Sequence, residues 1–227
     1  MMNSLVLLYY SLQRRISGLL RHFDGLPSLA LRLYLAPIFL MAGISKIDLA
    51  TLQPKASVVE WFGNPDWGLG LPYPELMVFM AGWTEILGAV FLLLGILVRL
   101  ISIPLIVTML VAIFTVHLEH GWFAIAPSDP DTSMAKPLAA LGFPGATESL
   151  ANSEEVGKRL NAARDILREY GNYSWLSARG SLVILNNGIE FATTYLMMLL
   201  SLLVLGGGRY VSLDFWLDRL LDGRLNP

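Results

Sequence analysis

The chain has 227 residues, of which 55% are apolar and only 15% are charged. In soluble domains about a quarter of the residues are charged. Here the charges fall at the ends of long apolar runs, so the composition indicates an integral membrane protein. The formal net charge of −2 leaves no basic field that would hold nucleic acid. The absence of cysteine excludes disulfides, thiolate metal sites, iron–sulfur clusters and thiol nucleophiles.

The N-terminal segment, residues 1–25, has the pattern of an amphipathic helix that lies at the membrane surface. Between Leu5 and Leu20, apolar residues recur at helical spacing, with Gln13, Arg14 and Arg15 between them. A cleaved signal peptide is the competing interpretation, but its apolar core would follow the arginines rather than precede them. We therefore expect an interfacial helix.

Four apolar stretches are long enough to be candidates for membrane-spanning helices: 26–47, 76–98, 100–116 and 180–208. The first contains Arg32, which must reach the membrane surface or be paired inside the bundle. The predicted fold is an all-α integral membrane protein. It has a bundle of four transmembrane helices, an N-terminal amphipathic helix and a long periplasmic insertion that contains one helix.

Two segments outside these stretches are expected to be ordered. Residues 61–72 combine Trp61 and Trp67 with prolines and glycines, so they form either an interfacial anchor or a lid over a site in the bundle. The insertion, residues 118–180 of a membrane domain that spans 26–227, begins with a proline-rich loop. It continues with a helix that Asn152 caps and Gly171 ends.

The distribution of basic residues predicts the orientation. Arginines precede the first stretch, lie in the turn between the second and third, and follow the fourth, and with four spans these places share one side. By the positive-inside rule that side is the cytoplasm, so both termini would be cytoplasmic in a bacterial inner membrane.

Several polar residues are predicted to lie in the outer half of the bundle. Glu85 and Glu190 are each the sole charge of their stretch, and ionisable groups inside a membrane are functional candidates. Glu85 can instead pair with Arg32 or Lys46 to hold helices together, and Glu190 can be hydrogen-bonding glue with its neighbouring asparagines.

A candidate metal site and a candidate ion pair complete the set. His117 and His120 have a spacing usable for metal binding, although two histidines at a helix end are more often a wetted terminus. Asp214 is expected to pair with Arg99 or Arg209 and to have a structural role.

Three stretches of sequence resemble the DoxX/DoxD family of membrane proteins. They run from Arg32 to Lys46, from Glu85 to Gly88 and from Gly206 to Asp214. Residues 61–72 and 186–190 are closer to the HvfX-like branch, which is associated with copper-binding, ribosomally made, modified peptides. The resemblance implies a four-helix inner-membrane protein, often labelled an oxidoreductase, with quinone-linked chemistry among the DoxD relatives.

Two functions follow as hypotheses. In the first, the chain is a quinone-linked redox component. Glu85 and Glu190 act catalytically, His117 helps to relay protons, and Trp61, Trp67 or Trp83 wall the quinone slot. Arg32, Lys46 and Asn187 complete the cofactor-binding set.

In the second hypothesis, the chain is a non-enzymatic accessory or scaffold that handles copper or a small molecule, with His117 and His120 as ligands. The lipid bilayer is the expected environment in both. Redox or peptide-maturation proteins, or further copies of the chain, are the expected partners.

For the site itself we predict a polar pocket that opens to the periplasm. Glu85, Glu190 and Asn187 would line it, His117 would lie near its mouth, and residues 61–72 would cover it. A closed polar network without a cavity is the alternative interpretation.

Overall fold

The computed structural model describes residues 2–20, 23 and 25–225. The chain divides into two compact units: the first runs to Ala112 and resumes at Thr193, and the second is Ile113–Ala192. The helices are α1 (Met2–Leu20), α2 (Gly25–Lys46), α3 (Ala56–Gly63), α4 (Pro74–Leu94), α5 (Val98–Ala112), α6 (Ala135–Ala140), α7 (Ala146–Tyr170), α8 (Tyr173–Leu176), α9 (Glu190–Leu205) and α10 (Leu213–Leu225). A π-helical turn, Ile113–His117, and a 3₁₀ turn, Leu118–His120, follow α5.

The core of the first unit is the antiparallel packing of α2 on α4. Two glycines allow the backbones to approach, because a Cβ at Gly43 would lie 2.8 Å from the Gly82 carbonyl oxygen. A Cβ at Gly82 would in turn meet the side chain of Ile47 at 2.6 Å. Small residues at a helix crossing are typical of membrane bundles, where close backbone contact replaces the hydrophobic effect as the source of stability.

One end of the first unit gathers the turn between α4 and α5, the start of α2 and the end of α9. Ser28 Oγ donates to the carbonyl of Gly206, and Arg99 donates to the carbonyl of Val204. The arginine-bearing segments 95–99 and 206–214 therefore lie together, as an up-and-down arrangement requires. The side of the membrane that this end faces stays a prediction.

At the opposite end, a two-stranded antiparallel ribbon follows α2. Strand β1 (Ile47–Asp48) pairs with β2 (Gln53–Pro54), with Ile47 opposite Pro54. Helix α3 follows directly and packs near the start of α4. Trp61 is on α3, so residues 61–72 are part helix and part turn rather than one loop.

Among the described residues, three helices are long and apolar enough to cross a membrane: Gly25–Lys46, Pro74–Leu94 and Val98–His120. These helices agree with the first three predicted stretches. The chain is therefore a membrane protein. The predicted fourth span, 180–208, is not confirmed. Its helix, α9, begins only at Glu190 and has 16 residues, which is about 24 Å at the helical rise. The preceding residues are extended, with a single bridge between Ile125 and Leu185.

The second unit corrects the prediction of one helix in the insertion, since it contains α6, α7 and α8. Helix α7 begins at Ala146 after Gly145, whose φ is +78°, so the expected cap Asn152 lies inside the helix. The C-terminal boundary at Gly171 is confirmed, because the Gly171 amide donates to the Leu167 carbonyl. A periplasmic location for this unit stays a prediction.

The N-terminal helix α1 is present, and its described side chains, residues 6–18, are exposed. The apolar positions Leu8, Leu12 and Ile16 of the predicted stripe are among them. An amphipathic helix with exposed apolar residues fits the interfacial role predicted for it. The predicted domain boundary at residue 25 stays a prediction.

Candidate functional site

The centre of the candidate site is an ion pair between α2 and α4. Lys46 Nζ donates to Glu85 Oε2 at 2.7 Å and to Glu85 Oε1 at 3.0 Å. The Glu85 side chain is 4% exposed and the Lys46 side chain 20% exposed. Of the two partners that the sequence allowed for Glu85, the structure selects Lys46.

The local sequence explains why this pair can be buried. Glu85 is on the face of α4 that packs against α2, in register with the buried residues Val78, Gly82 and Leu92. Lys46 is the last residue of α2, and its ammonium also donates to the Ala42 carbonyl at 3.2 Å. Two charges inside an apolar bundle are tolerable only when they are paired and hydrogen-bonded, and both conditions hold here.

A cavity of about 550 Å³ lies at the same end of the first unit. Its volume is in the usual range of small-molecule sites. Gln53, Tyr73 and Glu75 supply polar groups, while the remaining wall is apolar and includes Val59 and Phe79. The cavity is thus an apolar slot with a few polar groups at one side.

The cavity and the ion pair are neighbours in the fold. Pro54, which lines the cavity, pairs with Ile47, the residue that follows Lys46. The Lys55 amide also donates to the Lys46 carbonyl at 2.9 Å. Along α4, Phe79 of the cavity wall precedes Glu85 by six residues, a rise of about 9 Å.

An unsatisfied donor lies beside the cavity wall. The Trp83 indole nitrogen is buried and has no hydrogen-bond partner among the described residues. Its ring contacts that of Phe79, with the centroids 6.3 Å apart. A buried N–H without an acceptor costs about 1–3 kcal/mol, so this position favours a bound molecule that carries an acceptor.

Arg32 lies away from this site. Its guanidinium is fully buried and donates to the carbonyls of Leu92 at 3.0 Å and Val211 at 2.8 Å. Both acceptors are at the end of the first unit that carries the α4–α5 turn. The sequence required that Arg32 either reach the membrane surface or be paired inside the bundle, and the structure shows it paired inside the bundle. Its carbonyl partners give it a structural role.

Trp61 and Trp67, two of the three tryptophans predicted to wall a quinone slot, are also in the first unit, but neither is among the described residues that line the cavity. The Trp61 carbonyl accepts the Leu69 amide at 2.9 Å and so organises the turn that follows α3. The Trp67 side chain is 57% exposed, as expected of an interfacial anchor.

Glu190 and Asn187 belong to a hydrogen-bonded junction in the second unit. The Ala124 amide donates to Glu190 Oε2 at 3.0 Å, and the Glu190 amide donates to the Trp122 carbonyl at 2.9 Å. The Asn187 amide donates to the Ala124 carbonyl, with Asn187 at a φ of +60°. These contacts join the segments 121–126 and 184–190.

The predicted metal ligands are at the edge of this junction. His117 Nδ1 lies 2.7 Å from the Asn187 carbonyl oxygen, so Nδ1 is the donor of this hydrogen bond, because a carbonyl oxygen can only accept. His120 Nε2 is 3.5 Å from Glu119 Oε1. Within the described part of the chain, no three His, Cys, Asp or Glu side chains are grouped to hold a metal ion.

The residues that line the cavity were not predicted from the sequence. Gln53, Val59 and Tyr73 come from a strand, a short helix and the residue before α4, and no shared motif links them. The only sequence signal for this region is the run of turn residues before Pro74.

Residues 28–118 match the DoxX family model. The matched stretch contains both members of the ion pair, Lys46 and Glu85, and all residues that line the cavity. It ends before Glu190 and before the glycine-rich segment 206–214, so the resemblance noted there is not part of the match. A comparison with curated proteins finds no match, and neither does a comparison with solved structures.

Proposed function

We propose that this DoxX-type protein is a quinone-linked redox component of the bacterial inner membrane, with the Lys46–Glu85 pair exchanging protons at its site. The observation that carries the proposal is the buried ion pair next to an apolar cavity. In such a pair the ammonium can pass a proton to the carboxylate, which leaves both groups uncharged and no isolated charge in the bundle.

The cavity fits a quinone headgroup. A quinone needs flat apolar walls and hydrogen-bond donors for its two carbonyl oxygens. Phe79 and Val59 supply apolar surface, while Gln53 and the unsatisfied Trp83 indole supply N–H groups in or beside the cavity. A bound quinone would accept two electrons and two protons in this site.

The chain's own residues would then bind the quinone and transfer protons to it. Phe79 and Val59 would hold the ring and exclude water, and Gln53 would orient one carbonyl. Lys46 would pass a proton to the Glu85 carboxylate, and Glu85 would deliver it to the reduced quinone. Lys46, whose side chain is 20% exposed, would be reprotonated from solvent, and the same transfer would supply the second proton. The electrons would come from a partner redox protein, because the proposal assigns no electron carrier to this chain.

The test is the binding of a short-chain quinone to the purified full-length protein. Binding is measured by the quenching of tryptophan fluorescence. We expect binding by the wild type and a loss of about tenfold in affinity for Phe79→Ala, since removing an aromatic wall costs about 1–2 kcal/mol. Phe114→Ala, at a side chain that is 66% exposed, is the matched control and should bind normally. A protein that binds no quinone would exclude the proposal.

For Glu190, in the second unit, the proton-relay role that the sequence predicted is a separate proposal. Its bond to the Ala124 amide supplies a structural role as well. Glu190→Gln keeps an oxygen acceptor for that amide but removes the charge. Lost function at normal protein level supports the relay, and normal function assigns Glu190 to the junction alone.

A second candidate function is an accessory role in the maturation of a copper-binding peptide, as for the HvfX-like branch. The observation that favours it is the number of exposed apolar side chains in the second unit, where a partner protein or peptide can pack. They include Trp122, Leu141, Phe143, Trp175 and Leu185. Copper analysis of the double variant His117→Ala with His120→Ala tests the metal, and unchanged copper content removes both histidines from this hypothesis.

The proposed localisation places both termini in the cytoplasm. It rests on the arginines that gather at one end of the first unit and on the positive-inside rule. A reporter fused after Pro227 should be cytoplasmic, and a periplasmic reporter would reverse the orientation.

A further inference from the structure

A second cavity, of about 520 Å³, lies at the α4–α5 end of the first unit. Its polar lining includes Arg99, Arg209, Asp214 and Asp218, and we call it the headgroup cavity. Helix α2 begins at this end, α4 ends there and the span Val98–His120 begins there. In a bilayer, the ends of spanning helices lie at the level of the lipid headgroups.

The headgroup cavity has a rigid frame of buried polar contacts. Arg32 ties the Val211 carbonyl to the bundle, and Ser28 does the same for the Gly206 carbonyl. The Asp214 carboxylate accepts the amides of Leu97 at 2.7 Å and Val98 at 3.0 Å, which joins the α4–α5 turn to the start of α10. A cavity held this way is formed before any ligand arrives.

The lining carries charges of both signs. Arg99 and Arg209 supply two cations, and Asp214 and Asp218 supply two carboxylates. Arg99 donates one of its N–H groups to the Val204 carbonyl at 3.2 Å, and a guanidinium has five such donors. Its Nε would be 3.2 Å from a Cβ at Gly206, so the absence of a side chain there leaves the guanidinium room in the wall.

An apolar groove continues from this cavity along α5. The groove has a volume of about 230 Å³ and shares Leu97 and Leu100 with the headgroup cavity. Its other walls are entirely apolar and include Phe91, Ile103 and Pro104. A charged cavity at headgroup level and an apolar groove that descends from it match the two ends of a phospholipid.

We infer that the headgroup cavity and its groove bind one phospholipid with a zwitterionic aminophosphate headgroup, of the phosphatidylethanolamine class. Arg99 and Arg209 hold the phosphate through charge-assisted hydrogen bonds. Asp218 accepts from the primary ammonium, since Asp214 is committed to the Leu97 and Val98 amides. One acyl chain lies in the groove against Leu100 and Ile103.

The test is native mass spectrometry of the full-length protein in detergent, titrated with lipids of matched chains. Phosphatidylethanolamine should bind more tightly than phosphatidylcholine, whose quaternary ammonium donates no N–H. Arg99→Gln should weaken phosphatidylethanolamine binding about tenfold, because it removes a hydrogen-bonded charge. Asp218→Asn should reduce the preference over phosphatidylcholine about threefold.

The groove has its own matched pair of variants. Ile103→Trp fills the groove and should weaken lipid binding, whereas Val107→Trp, one turn further along α5 and also exposed, should not. Arg159→Gln, on the exposed surface of α7, is the charge control. These variants and Asp218→Asn keep the test decisive if Arg99→Gln does not fold.

Three results would overturn the inference. Equal binding of all lipids with no effect of Arg99→Gln or Ile103→Trp would show annular lipid only. Tighter binding of phosphatidylglycerol than of phosphatidylethanolamine would show an anion site without the ammonium contact. Equal competition by soluble O-phosphoethanolamine, together with normal binding by Ile103→Trp, would show a site for free phosphate esters rather than for a lipid.

Discussion

Breaking the Lys46–Glu85 pair should destabilise the protein by an amount that depends on which partner is removed. Lys46→Met leaves a carboxylate whose side chain is 4% exposed without its cation. Removing one partner of a buried ion pair typically costs about 3–5 kcal/mol, and we expect this range for Lys46→Met. Glu85→Gln should cost less, about 2–3 kcal/mol, because the lysine keeps the Ala42 carbonyl and is 20% exposed.

The double variant Lys46→Met with Glu85→Gln should be more stable than the sum of the single effects predicts. Both desolvated charges are gone, and replacing a buried pair by uncharged groups is often close to neutral. The coupling free energy should therefore be about 2 kcal/mol or more. Unfolding of the purified protein in mixed micelles of mild and denaturing detergent measures all four corners of the cycle.

The control is the exposed pair Lys136–Asp131 in the second unit, where both side chains are more than half exposed. Its cycle should show a coupling within experimental error, as is usual for surface pairs. Single-variant effects at Lys46 and Glu85 that add up to within about 0.5 kcal/mol of the double variant would refute the buried-pair argument.

Three further predictions concern other parts of the chain. Asp214→Ala should cost about 1 kcal/mol, because two amides at the start of α5 lose their acceptor, and Asp214→Asn should restore most of it in the same unfolding assay. Gly95→Ala should cost more than the 1–2 kcal/mol or so expected for a left-handed residue, since φ is +69° and the new methyl would collide with Arg32 Nη1. The Lys136 hydrogen bond lowers the pKa of Asp131 below its usual 3.8. Its small stabilising effect is therefore present above that pH and lost as the pH falls through the lowered pKa, and carboxyl NMR of wild type and Lys136→Met checks the shift.

The membrane helices could be predicted because their sequences are long, apolar and bounded by charge. Predicted boundaries for α4, at 76 and 98, differ from the observed Pro74–Leu94 by two and four residues. The inward direction of Glu85 also followed from the sequence, since a lone charge in such a helix is too costly in contact with lipid. Lys46 as its partner was one of two choices that only the fold could decide.

The start of α9 could not be predicted from hydropathy. Residues 181–189 continue the apolar run, but the backbone amides of residues 186–189 donate to carbonyls of the segment 121–124, and the Ile184 carbonyl accepts the Ala126 amide. Gly188 lies so close to the Phe123 carbonyl that a Cβ would be 2.6 Å away, and Asn187 has a positive φ. Contacts between residues about 60 positions apart in the sequence thus prevent helix formation where composition favours it.

The role of Asp214 shows the same limit at a single residue. Sequence placed it near Arg99 and Arg209, and an ion pair was the natural expectation. The structure shows it accepting the amides of Leu97 and Val98 while Arg99 donates to Val204. Backbone amides at a helix start have no sequence signal of their own, so a remote cap of this kind is visible only in the fold.

The most direct test of the proposed function is infrared difference spectroscopy of the protein with a bound quinone, recorded between the oxidised and reduced states. Proton transfer at the site predicts a change in a carboxyl C=O band that disappears in Glu85→Gln. The band should remain in Glu60→Gln, which alters an exposed carboxylate of α3. A spectrum with the same carboxyl band in Glu85→Gln, or with no carboxyl change at all, would contradict proton exchange at the Lys46–Glu85 pair.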